Sequence, residues 1–129
     1  MEASERSTPA VILRSRAGGG IYSLSFASSG LLFSGGVEGE ITAWDLDDRR
    51  PAASWAAASF TVLSVQGMAR GASCLSQSKD GLLQLWDVAT QKLCWEVVTD
   101  SCSFARCLAL PTAGGDPLDA DPSSCLTLP

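Results

Sequence analysis

Two stretches decide the fold: LLFSGGVEGEITAWDLDD, residues 31–48, and SCLSQSKDGLLQLWDVAT, residues 73–90. They superpose without a gap at an offset of 42 residues. Ser34 falls on Ser76, Gly39 on Gly81, Trp44 on Trp86 and Asp45 on Asp87. Self-similarity at such a period is the mark of a repeat architecture in which each unit needs a neighbour to cover its apolar face.

Each unit reads as strand, tight turn, strand. Residues 31–34 and 74–76 are short β-prone runs, and residues 41–46 and 82–88 are longer ones. Between them, Asp80-Gly81 predicts a type I′ hairpin turn, with both residues at positive φ, and Glu38-Gly39 is a weaker version. Turn residues Asp47-Asp48 or Ala89-Thr90 follow each Trp-Asp and lead to extended runs ending at Trp55 and Val98. Residues 21–26 and 61–65 supply one more strand ahead of each unit, which makes four strands per period.

The run Leu82, Leu83, Gln84, Leu85, Trp86 is apolar on both faces of a strand. A sheet with one wet face would alternate, so these residues call for sheets on both sides. Four-stranded sheets of about 42 residues stacked around an axis form a β-propeller. The expected fold is all-β: a partial propeller with two complete blades, a closing strand and an incomplete third blade.

A Ser, then Trp-Asp ten residues later with an Asp-Gly or Glu-Gly turn between, resembles the WD40 repeat, and the likeness covers residues 21–98. The stretches VILRSRAGGGIYSLSF, LLFSGG, CLSQSKDGLLQLWDV and SCSFARCLAL extend it. In that order they resemble the N-terminal part of the G-protein-beta-like WD-repeat family that includes the fungal ASTRA-associated proteins. Residues 1–9, polar and mixed in charge, read as a loose, disordered tail, and the resemblance implies a ring-closing strand and linker over 10–20, with Val11 to Leu13 as the strand. Blades would follow over 21–58 and 59–99. A third would begin within 100–129, at 102–110, with a Pro, Gly and Asp-rich loop before a last short run at 125–128. The chain then stops inside a blade, so a fragment, a truncated gene model or a short isoform of a longer propeller is expected.

Many WD repeats link the Trp indole through a Ser or Thr and a His to the turn Asp. This chain has no histidine. Ser34 and Ser76 can still accept from Trp44 and Trp86, and Asp80 can hold its own turn. The blades are expected to be less firmly pinned, each missing buried bond forgoing on the order of 1 kcal/mol.

The remaining residues argue against most chemistry. The 129 residues carry a formal charge of −5, and 18% are charged, below the roughly 25% of ordinary soluble domains, which points to surface meant to be covered. No basic patch is available for nucleic acid. Two uncharged stretches, residues 17–37 and 51–69, are long enough for a membrane span but are broken by glycine, serine and proline. The N-terminus has no apolar signal region, and cysteines 74, 94, 102, 107 and 125 follow no disulfide spacing. Reduced thiols in a cytoplasmic or nuclear protein are expected.

Without histidine no Ser-His-Asp or Cys-His constellation exists, so no catalytic residue is assigned. Cys102 and Cys107 lack the spacing and partners of a zinc site. Gly18-Gly19-Gly20 lacks the helix and Lys-Ser/Thr of a phosphate loop. Asp45 and Asp87 read as structural carboxylates near strand ends. No metal, cofactor or enzymatic activity is expected.

What the resemblance implies is a non-catalytic adaptor. Partners would be other proteins, among them chaperone complexes that mature phosphatidylinositol-3-kinase-related kinases, and the remaining blades of a longer propeller. By analogy with propeller contact positions, Tyr22, Val37 and Lys79 would meet the partner. The alternatives are a substrate-receptor or platform subunit of a ubiquitin ligase, and a non-functional fragment of a longer propeller. Receptors of that kind often carry Trp-Asp-x-Arg, where this chain has Asp47 and Ala89 as the fourth residue.

Overall fold

The structure is a computed structural model that describes residues 8–15, 19–27 and 30–99. The chain forms β1 (Ile21–Phe26), β2 (Leu31–Gly36), β3 (Glu40–Asp45) and β4 (Arg50–Ala56), then β5 (Val62–Met68), β6 (Ser73–Ser78), β7 (Leu82–Asp87) and β8 (Lys92–Val98). They make two antiparallel meanders, β1-β2-β3-β4 and β5-β6-β7-β8. A short 3-10 turn, Ala69–Gly71, links β5 to β6.

The 42-residue translation holds in backbone detail. The ladder slips between Ala43 and Trp44 and again between Leu85 and Trp86, a bulge repeated at the Trp of each unit. Arg49 and Gln91, at equivalent places before β4 and β8, take the left-handed conformation at φ 61° and 60°. Leu46 N donates to Gly30 O as Val88 N donates to Ala72 O. Ala57 N and Thr99 N likewise donate to Gly39 O and Gly81 O.

The hairpins differ from the two-residue turn that Asp-Gly suggested. Loops of three residues join β2 to β3 and β6 to β7, closed by Gly39 N to Gly36 O at 3.2 Å and Gly81 N to Ser78 O at 3.0 Å. Only the glycines are left-handed, at φ 92° and 91°, so Asp80 and Glu38 stay at negative φ. The geometry is that of a three-residue loop ending on a left-handed glycine. The Asp80 carboxylate instead accepts from the Ser78 hydroxyl and from Leu82 N.

The core lies between the sheets. Phe33, Ile41 and Ala43 of the first sheet pack with Val62, Val65, Cys74 and Trp86 of the second. Contact is closest where β5 crosses β1 and β2, and there small residues decide the approach. A Cβ on Gly35 would stand 2.6 Å from Val62 Cγ1, and one on Gly67 would stand 3.0 Å from Phe33 Cε2. Gly35 and Gly36 look like turn residues in the sequence. They are strand residues here, Gly35 paired with Ser23 and Ile41 and Gly36 with Ile21, and a side chain at Gly35 would meet both Ser23 and Val62. Val11 to Leu13, expected as a ring-closing strand, belongs to no ladder among the described residues. The expected third-blade runs, 102–110 and 125–128, lie outside the described residues, as do Cys102, Cys107 and Cys125.

Candidate interaction surface

The indoles that mark the repeat are buried and bonded alike. Trp44 Nε1 donates to Ser34 Oγ at 2.9 Å, and Trp86 Nε1 donates to Ser76 Oγ at 3.0 Å. The cross-strand pairs Leu32–Trp44 and Cys74–Trp86 place each Trp on the same face of its sheet. The Asp after each Trp holds the following turn. Asp45 Oδ1 accepts from the backbone N–H groups of Asp47 and Asp48 at 2.9 and 3.0 Å, and Asp87 Oδ2 accepts from Thr90 Oγ1 at 2.7 Å. Both carboxylates are thus engaged in turn geometry.

Tyr22, Val37 and Lys79 come from three separate elements and gather at one end of the sheets. Tyr22 sits on β1 at a bulge between Ile21 and Ser23, beside the pair Ile21–Gly36. Val37 and Lys79 each open a three-residue hairpin loop, 42 residues apart, and all three side chains are exposed. Thr61 fastens the two loops to one another: its Oγ1 donates to Val37 O at 2.9 Å, and its carbonyl accepts from Lys79 N at 2.9 Å. Val37 N in turn donates to Gly20 O, which anchors the chain entering β1. Phe60, not singled out in the sequence, is exposed beside Thr61, and its carbonyl lies near the Gly39 turn. A lone aromatic in a linker between repeats was the available signal. The rim so formed mixes apolar side chains with one lysine.

A second feature opens on the face of the first sheet turned away from the second. Ser15, Glu40, Thr42, Trp44 and residues 50–54 line a cavity of about 490 Å³. Leu24 and Phe26 share that face by register with Ser34 and Leu32, and they stay 60% and 69% exposed. In the second sheet the matching face carries Val65, Cys74 and Trp86, all covered by the first sheet. The side chain lying on Trp86 is Trp55 of β4, with ring centroids 5.9 Å apart.

Cys74 is buried and Cys94 exposed, both as free thiols. Among the described residues no group of three or more His, Cys, Asp or Glu is placed to hold a metal ion, and no helix is long and apolar enough to cross a membrane.

No family model matches the chain. It is 36% identical over 89 residues to ASTRA-associated protein 1 of Aspergillus niger, across 65% of this chain and 20% of that protein. Against the WD repeat-containing protein 91 homolog of Dictyostelium discoideum it is 40% identical over 57% of this chain and 10% of the relative. Against ASTRA-associated protein 1 of Schizosaccharomyces japonicus it is 40% identical over 46% of this chain and 16% of the relative. The chain therefore spans a fifth or less of the curated relatives it matches. Among solved structures it is similar to the β-propeller domain of Cps50 (Swd1) from Myceliophteria thermophila. The TM-score is 0.59 and the identity 26%, over 64% of this chain and 25% of that one. By these likenesses the chain is similar to WD-repeat proteins over part of its length, and its described part has the fold of two blades of a β-propeller.

Proposed function

We propose that the chain acts as a non-catalytic adaptor that presents the rim of Tyr22, Val37, Phe60 and Lys79 to protein partners. The observation that carries this reading is the Thr61 bridge, which fixes two loops from different blades in one arrangement. A contact surface held in this way loses little conformational freedom on binding, which favours recognition over motion. The similarity to ASTRA-associated proteins supports a narrower role: assembly or stability of phosphatidylinositol-3-kinase-related kinase complexes, with chaperone cofactors, in cytoplasm and nucleus.

Affinity purification of the tagged chain from cells, beside a Tyr22→Ala/Lys79→Ala variant, tests both levels. Recovery of kinase-maturation chaperones by the parent chain and their loss from the variant is the expected result. Equal recovery by both removes the rim from the interface. Recovery of a cullin adaptor in place of the chaperones overturns the kinase-assembly role in favour of a ligase receptor.

A further inference from the structure

The outward face of the first sheet carries a ridge and a recess side by side. The ridge is Leu24 and Phe26 of β1, 60% and 69% exposed. The recess is the cavity of about 490 Å³ over β3 and β4, with Thr42, Trp44, Pro51 and Ser54 in its lining. Register sets ridge and recess in the same cross-strand rows: Phe26, Leu32, Trp44 and Pro51 form one, and Leu24, Ser34, Thr42 and Ser54 the next. The hydroxyls of Thr42 and Ser54 are bonded to each other at 3.1 Å, and Trp44 Nε1 is bonded to Ser34 Oγ. An apolar side chain entering the recess therefore strands none of these groups.

The second sheet shows how closely a neighbouring sheet can sit on this kind of face. Val65 and Gly67 pair with Ser76 and Cys74 as Leu24 and Phe26 pair with Ser34 and Leu32, so they hold the equivalent places. There a Cβ on Gly67 would stand only 3.0 Å from Phe33 Cε2 of the first sheet. Phe26 fills that place with a benzyl group, and a sheet seated alike on the first sheet would collide with it. Whatever covers the first sheet must instead offer a recess where Leu24 and Phe26 project.

We propose that the cover is the same face of a second copy of this chain, related by a two-fold axis that runs parallel to the strands between β2 and β3. Such an axis keeps each row level and exchanges its ends. Phe26 of one copy then enters the recess of the other at Trp44 and Pro51, and Leu24 enters at Thr42 and Ser54. The contact is made twice, as an isologous pair requires. On the outward face of the second sheet Leu75, Leu83 and Leu85 are 2–4% exposed, so that face presents no matching ridge and association stops at two copies.

Sedimentation velocity of the purified 129-residue chain across a range of concentrations tests this. A monomer–dimer equilibrium is expected; one chain mass at every concentration, or growth beyond two copies, overturns the proposal. Phe26→Asp is expected to weaken self-association at least about 100-fold and to leave the far-UV circular dichroism unchanged. Leu24→Ser, a milder change in the next row, should weaken it in the same direction. Undiminished association of either folded variant overturns the surface. The pairing of ridge with recess is read by mixing Phe26→Asp with Pro51→Lys and, separately, with Pro51→Asp. The first mixture is expected to form heterodimers at least about 5-fold tighter than the second, because only there do opposite charges meet across the axis. Equal affinities in the two mixtures overturn the two-fold arrangement.

Discussion

Trp55 and Trp86 lie tilted at 52° with ring centroids 5.9 Å apart, and they join the outermost strand of one blade to the third strand of the next. Their polar ends differ. Trp86 Nε1 has Ser76 as acceptor, whereas Trp55 Nε1 is buried with no hydrogen-bond partner. Trp55→Phe therefore removes an unpaired donor and is expected to cost less than about 1.5 kcal/mol. Trp86→Phe also gives up a buried bond, so its cost is expected to be greater by about 1 kcal/mol. Urea unfolding of both variants decides it, and equal losses would count against the distinction.

Ser34 and Ser76 each accept from a buried indole N–H. Alanine at either place leaves that buried donor without its partner. The expected loss is about 1–3 kcal/mol per site. The two bonds lie in different sheets and share no hydrogen-bond partner, so the double variant should lose the sum of the single losses to within about 0.5 kcal/mol. A urea midpoint unchanged by Ser76→Ala would show that the hydroxyl does not hold Trp86.

The repeat made the fold legible, because its landmarks are side chains whose surroundings recur. The strand expected over residues 21–26 coincides with β1, and the four-strand period holds in both sheets. Local propensity missed what packing decides. Gly35 and Gly36 extend β2 by pairing with Ser23 and Ile21, and the close approach of Val62 to Gly35 is visible only once the sheets are stacked. Asp80-Gly81 suggested a two-residue turn, but the loop spans three residues and Asp80 serves as an acceptor. The rim residues were placed by family analogy, and nothing in their spacing announces the Thr61 bridge. The contact of Trp55 with Trp86 has no signal in the repeat, since the 42-residue image of Trp55 is Val97 and no repeated aromatic marks the place.

Gly39 combines two demands that no other residue meets. Its φ of 92° is left-handed, and an added Cβ would stand 2.0 Å from the carbonyl oxygen of Ala58. That oxygen belongs to backbone and cannot swing away as a side chain could. Gly39→Ala is expected to destabilise the chain by about 2–4 kcal/mol, from steric displacement added to backbone strain. Thermal unfolding followed by far-UV circular dichroism measures it. A loss under about 1 kcal/mol, the usual backbone effect alone, would mean that residues 57–60 can move aside.

Cys74 and Cys94 offer a chemical readout of the interface between blades. Burial raises the Cys74 thiol to about 12, against a smaller lowering effect from a backbone bond at Gln66, while Cys94 is exposed. The thiolate is the reactive form, so an alkylating reagent at pH 8 is expected to modify Cys94 rapidly and Cys74 only on unfolding. The same shift links pH to stability. Above the ordinary value of 9.0 the unfolded chain releases the Cys74 proton while the folded chain keeps it. The unfolded state then binds fewer protons, and stability falls as pH rises from about 9 toward about 12. Cys74→Ala should flatten that decline relative to the parent chain, at the cost of a small cavity beside Trp86. Equal labelling rates for the two thiols in the native chain would show that the blades open faster than the reagent reacts.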